Sequence, residues 1–403
     1  MPEIRLSGVS GDWEERKLSD MLDFSNGINA PKESYGKGRK MISVMDVLDE
    51  SPITYKNIRN SVEVNKDIED KNRVEKGDLI FVRSSEVVEE VGWTRAYLAD
   101  EYALYSGFTI RGKKKNEYDA EFIELNLNST SRRQIERKAG GSTRFNVSQS
   151  ILNSIVIRQP HIEEQTKLGN LFKHLDDTIA IHQQELDTLQ QTKQGFLQKM
   201  FPKKGETVPE IRFPGFTGDW VKCKLNELVT PIVREVPKPD RPYKRISIRS
   251  HAKGTFRQKV DDPKTVSMKK LYEVKENDLI VNITFAWEHA IAVASERDDG
   301  LLVSHRFPTF VIDKSDINFI RYTVIQEDFR RKMELISPGG AGRNRVLNKK
   351  DFVKLKLSVP NEIEEQQKIG DFFKQLDDII ALHEQELDTL KQTKKAFLQK
   401  MFV

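Results

Sequence analysis

Hydrophobic side chains recur with alternating spacings of three and four residues in two long segments of the chain, 162–201 and 363–402. In each segment two series of positions repeat every seven residues, and the second series is displaced from the first by four. This heptad pattern is typical of a coiled-coil seam and predicts two helices, each about 60 Å long at about 1.5 Å per residue. The predicted seam consists of Leu168, Phe172, Leu175, Ile179, His182, Leu186, Leu189, Phe196, Ile369, Phe373, Leu376, Ile380, His383, Leu387, Leu390 and Phe397.

The two segments are near copies of each other, identical without a gap at nearly three-quarters of their positions. A second repeated pair lies before the variable regions: PEIRLSGVSGDWEERKL at Pro2–Leu18 and PEIRFPGFTGDWVKCKL at Pro209–Leu225, here called the lead segments. Weaker echoes lie at matching depths, VEKGDLIF with VKENDLIV and GGSTRFNV with GGAGRNRV. The order of lead segment, variable region and helix occurs twice, which indicates a tandem duplication.

Each apolar stripe has to be buried, and the obvious partner is the other copy in the same chain. The first helix leads from the first variable region to the second, and the second helix begins where the second region ends. We therefore predict that the helices pack antiparallel and hold the two variable regions apart at opposite ends. The copies are alike because each is the packing surface of the other.

Polar residues interrupt both seams at corresponding positions, His182 with His383 and Lys193 with Lys394. The histidines could bind a metal or act as a pH switch. The favoured interpretation is a polar seam residue that fixes the register or contacts a partner helix. We therefore predict no metal site.

The variable regions, roughly 19–160 and 226–360, combine strand-like runs such as LIFVR and LIVNITF with helical patterns such as INFIRYTVIQEDFRRKMEL. Each is predicted to be a compact mixed domain. The predicted fold class is α+β (mixed α/β), with two such domains separated by two long antiparallel coiled-coil helices in a pseudo-two-fold tandem repeat.

Composition restricts the class of protein. Of the 403 residues, 37% are hydrophobic and 32% are charged, which is typical of a soluble globular protein with extra charge. No apolar run approaches the roughly 18 residues of a membrane-spanning helix, and the first residues lack the apolar core of a signal peptide. The single cysteine, Cys223, excludes an internal disulfide and a cysteine-rich zinc site. These features predict a cytoplasmic protein with no membrane partner.

The net charge of +4 is unevenly distributed along the chain. The formal charge is about −1 for 1–160, about −2 for 161–200, about +10 for 201–360 and about −3 for 361–403. The basic block in the second half suggests a polyanionic partner. The alternative is a basic surface that serves only solubility.

Motifs for catalysis are weak or missing in the sequence. GFTIRGK at 107–113 approaches a phosphate-binding loop, but Lys114 stands where Ser or Thr would coordinate magnesium. Asp262 followed by Glu273 and Lys275 resembles the spacing of a metal-dependent nuclease, and the first domain lacks the equivalent. Dinucleotide, methyl-donor and nucleophile-elbow motifs are missing. We predict that this chain has no catalytic residue and holds no cofactor.

Signals for nucleic-acid binding are stronger. Basic residues alternate with aromatic ones in RPYKRISIRSHAKGTFRQK at 241–259. Cationic side chains neutralise phosphates, and arginine also makes a two-pronged contact with guanine. For any single residue, the alternative is a solvated basic face. The predicted DNA-contacting residues are Lys37, Arg39, Lys40, Arg83, Ser84, Ser85, Lys113, Lys114, Arg144, Asn146, Arg241, Tyr243, Lys244, Arg245, Arg249, Lys253, Arg257, Arg343, Asn344 and Arg345.

This arrangement resembles the specificity subunit of a bacterial type I restriction–modification system. The resemblance rests on the paired helices, with LDDTIAIHQQELDTLQQTKQGFLQKMF and LDDIIALHEQELDTLKQTKKAFLQKMF, and on the IEEQ that follows Pro160 and Pro360. GDLIFVRSS at 77–85 and the two GDW tripeptides add to it. The similarity covers the whole chain in order and length.

The resemblance implies that each variable domain is a target recognition domain that reads one half of a split, asymmetric site in double-stranded DNA. The paired helices then set the spacing and dock two methyltransferase (modification) subunits, and restriction subunits with translocase and endonuclease activity join them. S-adenosylmethionine, ATP and Mg are expected on those partner subunits.

The implied domains are 1–161 and 202–361 for recognition, with 162–201 and 362–403 as spacer helices. One departure affects the second domain, where Asn277 and Ile283 replace Gly77 and Arg83. The role of Arg83 therefore does not transfer to the second domain.

Two other functions remain as alternatives: a self-contained DNA nuclease or methyltransferase, and a coiled-coil adaptor that binds only proteins. Activity of the purified chain with magnesium or S-adenosylmethionine would indicate the first. A salt-dependent shift of DNA mobility would argue against the second.

Overall fold

The computed structural model describes residues 2–337 and 345–402 and divides into two units. Unit 1 comprises Met1–Gln183 and Gln385–Val403, and unit 2 comprises Gln184–Glu384. Each unit therefore contains one lead segment, one variable domain and part of each long helix. Among the described residues, no helix is both long enough and apolar enough to cross a membrane.

Unit 1 is built from short strands and helices, with one 3-10 turn at Lys32–Ser34 among its described residues. Its strands are β1 (Glu14–Lys17), β2 (Leu22–Asn26), β3 (Tyr35–Ile42), β4 (Asn60–Val62), β5 (Leu79–Val82), β6 (Ser84–Ser85), β7 (Thr94–Ala96), β8 (Leu104–Tyr105), β9 (Thr109–Lys114), β10 (Phe145–Asn146) and β11 (Val156–Gln159). Its helices are α1 (Leu18–Met21), α2 (Val44–Leu48), α3 (Lys66–Lys71), α4 (Ala120–Asn128), α5 (Arg132–Lys138), α6 (Gln149–Asn153) and the first part of α7 (Ile162–Lys199).

The core of unit 1 lies on both faces of β5, which carries the LIFV of the GDLIF motif. β5 is an inner strand of an antiparallel sheet of order β2-β9-β5-β7, and its four residues are buried. Because side chains alternate along a strand, Leu79 and Phe81 face one core cluster while Ile80 and Val82 face another. A strand covered on both faces therefore reads as an unbroken apolar run. Smaller sheets of order β4-β3-β8, β1-β11 and β6-β10 accompany it.

Unit 2 has the same kind of construction, with 3-10 turns at Leu225–Glu227, Pro263–Thr265, Ala286–Glu288 and Glu296–Asp298. Its strands are β12 (Val221–Lys224), β13 (Thr230–Ile232), β14 (Glu235–Pro237), β15 (Tyr243–Ile248), β16 (Thr255–Val260), β17 (Lys270–Glu273), β18 (Leu279–Val281), β19 (Ile291–Val293), β20 (Leu302–Val303), β21 (Thr309–Val311) and β22 (Lys356–Val359). Its helices are α8 (Ile317–Val324), α9 (Glu327–Leu335), α10 (Lys349–Phe352) and the first part of α11 (Ile363–Met401).

The strand β18 of unit 2 corresponds to β5 of unit 1. It is an inner strand of the sheet β13-β21-β18-β19, and its side chains also divide between two core clusters, Leu279 and Val281 in one and Ile280 in the other. A five-stranded sheet of order β14-β17-β20-β15-β16 and the pair β12-β22 complete the unit. The similar motifs VEKGDLIF and VKENDLIV therefore form equivalent inner strands in the two units.

In unit 1, the parts of α7 and α11 run antiparallel. Asp176 of α7 forms an ion pair with Lys394 of α11, and further along α7 the Nδ1 atom of His182 lies 3.9 Å from a carboxylate oxygen of Glu386. The residue number therefore falls along α11 as it rises along α7, as the sequence predicts.

Unit 2 contains the matching arrangement. Nδ1 of His383 lies 3.9 Å from a carboxylate oxygen of Glu185, and Lys193 forms an ion pair with Asp377. Within each unit, a polar seam residue thus contacts an acidic residue of the other helix. Contacts of this kind are expected of residues that fix register and direction.

The predicted seam residues lie at buried or half-buried positions of the two helices. The aromatic side chains near the start of each helix are the most enclosed, since Phe172 and Phe373 are fully buried. Outward-facing positions between them are exposed, among them Ile181, Ile379 and Leu382. The helices are therefore amphipathic, with one packed stripe and one solvent-facing side.

The lead segment of unit 1 joins both helices to the domain. Arg5 donates two hydrogen bonds to the carboxylate of Glu164 near the start of α7, at 2.9 and 2.6 Å. The amide of Ile4 donates to the carbonyl of Lys400 near the end of α11 at 3.0 Å. Trp13 of the GDW tripeptide packs against Phe402, with ring centroids 6.2 Å apart.

Unit 2 repeats this joint with the helices exchanged. Arg212 donates two hydrogen bonds to Glu365 near the start of α11, at 2.7 and 2.8 Å, and these bonds raise the pKa of Arg212. The amide of Ile211 donates to the carbonyl of Lys199 at the end of α7, at 2.9 Å. Trp220 packs against Phe201, with centroids 6.0 Å apart. The lead segments recur because each closes the same joint.

The glycine after each IEEQ motif permits a close approach between the long helix and the domain. An added Cβ at Gly169 would lie 2.6 Å from a carboxylate oxygen of Asp119, and one at Gly370 would lie 2.5 Å from that of Asp316. Both aspartates cap a domain helix, because their carboxylates accept from backbone amides at the starts of α4 and α8. The repeated glycine is therefore a packing requirement.

We predict that Phe373→Ala lowers the free energy of unfolding by about 3–5 kcal/mol, because a fully buried aromatic ring is removed from the core. The ring packs against Tyr322 and Phe201, with centroids 5.1 and 6.1 Å away. Urea unfolding of the full chain measures the effect. The matched control is Leu382→Ala on the exposed side of the same helix, where a change within about 0.5 kcal/mol is expected. Equal losses in the two variants would contradict the assigned packing.

Candidate nucleic-acid interface

The basic segment 241–259 forms the β15–β16 hairpin at one edge of the five-stranded sheet of unit 2, here called the ribbon. β15 and β16 pair antiparallel over six residues, from Tyr243 opposite Val260 to Ile248 opposite Thr255. β16 is the edge strand of its sheet. Ile246 and Ile248 of β15 point into the core cluster beneath. Because residues alternate between faces, Arg245 and Ser247 of β15 lie on the opposite, outer face.

The tip of this ribbon is fixed to the body of unit 2. His251 and Ala252 adopt left-handed backbone conformations, with φ of 60° and 51°. Their amides donate to the carbonyls of Glu288 and His289 at 2.7 and 2.8 Å. Burial lowers the pKa of His289, whose Nε2 atom bonds the carbonyl of Val324 at 2.7 Å. Such backbone conformations persist only where the surroundings hold them, so the tip is rigid.

Several cations of the ribbon have no acidic neighbour among the described residues. Arg241, Lys244 and Lys253 are exposed, with no carboxylate of the described chain within ion-pair distance. Arg249 lies over the ring of Phe256, with its guanidinium carbon 5.3 Å from the centroid. These residues leave the ribbon with unneutralised positive charge, as a phosphate-contacting surface requires.

Arg257 differs from these residues because it contacts a buried carboxylate. Its Nε atom lies 3.6 Å from Asp298, whose side chain is 1% exposed. Burial acts to raise the pKa of Asp298, but bonds from Ser295 and Thr255 and the charge of Arg257 lower it overall. The geometry therefore assigns Arg257 a structural contact within the domain.

In the corresponding ribbon of unit 1, β3 with β4, the predicted cations have partners within the unit. Lys37 lies 2.7 Å from Glu63, and Arg39 lies 2.9 Å from Glu101. The guanidinium of Arg39 also stacks on Tyr102, 4.2 Å from the centroid. Lys40 donates to a backbone carbonyl at 2.7 Å. These three predicted residues therefore already have partners within unit 1.

Lys113 and Lys114 at the end of β9 are also engaged within unit 1. Lys113 lies 3.8 Å from Glu75, and Lys114 donates to the carbonyl of Tyr118 at 3.0 Å. Since 109–114 is a strand of an antiparallel sheet, GFTIRGK is not a phosphate-binding loop.

A second group of predicted residues does come together in unit 1, where β6 pairs with β10. Arg144 donates from Nε to the hydroxyl of Ser84 at 2.9 Å, and Arg83 donates to the carbonyl of Gly107 at 3.2 Å. Asn146 lies opposite Ser84 in the strand pair, and Ser85 lies next to it on β6. Arg83 and Asn146 line one side of a surface concavity. Ser84, Ser85 and Arg144 line a second concavity, so the five predicted residues lie around the β6–β10 pair on two concavities.

Phe108 belongs to this surface and was missed in the sequence. Its ring is 57% exposed, and the guanidinium carbon of Arg144 lies 5.9 Å from its centroid. An exposed aromatic ring beside a cation suits contact with nucleic acid. The sequence signal was the aromatic residue directly after Gly107, which was assessed only as part of a phosphate loop.

Of the matching loop in unit 2, Arg343 and Asn344 lie outside the described residues. Arg345 is described, and its guanidinium carbon lies 5.5 Å from the ring of Trp287. The structure also corrects the register of the sequence echo by one residue. Val147 donates to the carbonyl of Arg83 and Leu347 donates to that of Ile283, so Val147 corresponds to Leu347 and not to Val346.

The nuclease-like trio of unit 2 has structural roles. Asp262 caps the 3-10 turn that follows it, accepting from the amide of Lys264 at 2.9 Å. Glu273 accepts from Lys275 at 2.6 Å. These contacts give no reason to assign the trio to catalysis.

Comparison with known proteins agrees with this geometry. The family described as type I restriction modification DNA specificity domain matches residues 10–191 and 218–392. The chain belongs to this family. It is a DNA specificity subunit of a type I restriction–modification system.

Individual relatives match over nearly the whole length. A putative type I restriction enzyme specificity subunit, MjaX of Methanocaldococcus jannaschii, is 21% identical over 98% of this chain and 94% of its own. The crystal structure of the S subunit from M. genitalium has a TM-score of 0.59 at 15% identity, covering 100% of this chain and 99% of that one. The HsdS subunit from Thermoanaerobacter tengcongensis has a TM-score of 0.50 at 15% identity, covering 98% and 97%. At these identities the structures support the fold.

We predict that Lys244→Gln weakens DNA binding more than Lys37→Gln does. Lys244 has no acidic neighbour among the described residues, whereas Glu63 already neutralises Lys37 at 2.7 Å. Loss of one phosphate contact lowers the slope of log affinity against log salt by about 0.9. The measurement is a salt titration of binding by the full chain with its partner subunits. Equal changes in slope for both variants would contradict the assignment.

Proposed function

We propose that each unit reads one half of a bipartite, asymmetric DNA site. The observation that carries the proposal is that the two units repeat one joint to the long helices while presenting different surfaces. In unit 2, the β15–β16 ribbon displays cations without acidic neighbours among the described residues. In unit 1, Lys37 and Arg39 of the β3–β4 ribbon pair with Glu63 and Glu101, and Ser84 and Arg144 contact each other at the separate β6–β10 pair. Different surfaces on a shared framework support two different half-sites.

The two ribbons are equivalent by topology, which makes this contrast meaningful. β3 pairs antiparallel with β4 and parallel with β8. β15 likewise pairs antiparallel with β16 and parallel with β20. In unit 2 this element carries several cations without an ion-pair partner among the described residues, whereas in unit 1 Lys37 and Arg39 are paired with carboxylates.

The long helices are proposed to set the distance between the half-sites and to dock the modification subunits. α7 contains 38 residues and α11 contains 39, each about 57 Å or slightly longer. Ile181 and Leu382 occupy corresponding positions on the solvent-facing sides and are 58% and 54% exposed. Paired, exposed apolar residues of this kind fit docking of two like subunits.

The proposed boundaries are 1–161 and 202–361 for the recognition domains and 162–201 and 362–403 for the spacer helices. The partners are double-stranded DNA, two methyltransferase subunits and restriction subunits, which act together in the cytoplasm. S-adenosylmethionine, ATP and Mg belong to these partners, and this chain contributes recognition, spacing and docking.

We predict that deleting one heptad from each helix shortens the preferred gap between the half-sites. Residues 181–187 and 382–388 lie at corresponding positions, so their joint deletion keeps both seams in phase. Seven residues of helix span roughly 10 Å, about three base pairs at about 3.4 Å each. Mapping of methylated sites in a host that carries the variant system measures the gap.

The control for this deletion replaces the exposed polar residues Gln184 and Gln385 within the same heptads at unchanged length, and leaves Ile181 and Leu382 in place. The control should keep both the gap and the half-sites. An unchanged gap in the deletion variant, with methylation retained, would refute the spacer role.

We predict that replacing 226–360 with the equivalent domain of a relative changes one half-site and leaves the other unaltered. The reason is that each unit contains its own core and its own candidate surface. Methylation mapping provides the readout, and a change in both half-sites would contradict the division of labour.

A further inference from the structure

One arginine on the outer face of the β15–β16 ribbon is positioned by a neighbour across the strand pair. Arg245 of β15 lies directly opposite Gln258 of β16. Residues opposite each other in an antiparallel pair share a face of the sheet. The Nε atom of Arg245 donates to the amide oxygen of Gln258 at 2.9 Å. Gln258 holds this guanidinium by one edge.

The remaining edge of the Arg245 guanidinium carries its two Nη groups. Among the described residues, neither Nη has a hydrogen-bond acceptor, and no carboxylate lies within ion-pair distance of Arg245. Arg234 provides the contrast within the same unit, because both of its Nη groups are bonded to the carboxylate of Asp278. The protein therefore orients Arg245 through Nε. Its two Nη groups, which can make a bidentate contact, have no acceptor among the described residues.

A two-pronged edge of this kind matches a specific acceptor pair in DNA. Guanine presents O6 and N7 together in the major groove, and a bidentate arginine contact is the commonest specific contact to that base. Because the tip of the ribbon is fixed by backbone hydrogen bonds from His251 and Ala252, the guanidinium is presented on a rigid support.

We propose that Arg245 reads a guanine in the half-site of unit 2 and that Gln258 is its positioning residue. Lys253, exposed at the tip of the ribbon, supplies charge for phosphates, so the ribbon separates base reading from backbone contact. This inference rests on the proposed function of unit 2 as the reader of one half-site.

Arg245→Lys distinguishes base reading from a phosphate contact. The variant keeps the positive charge but loses the fork, which lysine cannot reproduce. We expect it to lose the preference for guanine at one position by about 5- to 150-fold, the discrimination that a good bidentate pair provides. Lys259→Gln is the matched control, because it removes a cation from the same ribbon that is paired with Asp261 at 2.5 Å. That control should retain the base preference.

The experiment uses the full chain assembled with the modification subunits of its host. Duplexes with randomised positions are bound by the wild type and each variant, and the bound fraction is sequenced. Wild-type enrichment of two half-sites tests the proposed function, and failure to enrich them overturns that function. Given two half-sites, loss of one guanine in a single half-site with Arg245→Lys supports the inference. An unchanged motif, or an equal loss of affinity for all sequences, overturns the inference alone.

The variant Gln258→Ala provides a second and independent test. It leaves Arg245 in place and removes the acceptor that orients it, so the same guanine position should become less selective while all other positions stay as they were. A change at a different position, or no change at any position, would refute the positioning role of Gln258.

Discussion

A buried carboxylate near the start of each long helix forms an ion pair with an arginine of a lead segment. The attachment of the helices to the domains depends on these two ion pairs. The side chains of Glu164 and Glu365 are 4% and 1% exposed. Loss of the partner of such a group is strongly destabilising, because an uncompensated charge is left in the interior. The lead segments that carry Arg5 and Arg212 are therefore held in place. Since the same segments bind the end of the other helix, each joint fastens both helices to one domain.

Charge in the helix seams selects the direction of pairing. In a parallel arrangement in register, Lys193 would lie beside Lys394, and like charges would meet in a half-buried seam. In the antiparallel arrangement, Lys193 meets Asp377 in unit 2 and Lys394 meets Asp176 in unit 1. The same polar residues that weaken the apolar seam thus disfavour the wrong alternative. These ion pairs favour the antiparallel direction for two helices of nearly identical sequence.

The two recognition surfaces differ in how their cations are used. Arg39 in unit 1 stacks on Tyr102 and pairs with Glu101, so a carboxylate of the same unit neutralises its charge. Lys244 in unit 2 has no acidic neighbour among the described residues and adds to the potential around the ribbon. Cations of the first kind stabilise a domain, whereas cations of the second kind attract a polyanion. A shared framework can in this way carry unlike binding surfaces without a change of fold.

The sequence by itself determined the long helices, their antiparallel pairing within each unit and the repetition of the lead segments, because heptad spacing and near-identical motifs can be recognised without the fold. It also named Arg83, Ser84 and Arg144 as candidates for DNA contact. It did not distinguish Arg39 from Lys244, and it overlooked Phe108 and Gln258. Those assignments depend on which carboxylate, ring or amide the folded chain brings beside each side chain. Only the tertiary structure decided them, because contacts between residues distant in sequence, such as Arg39 with Glu101, leave no spacing pattern to read.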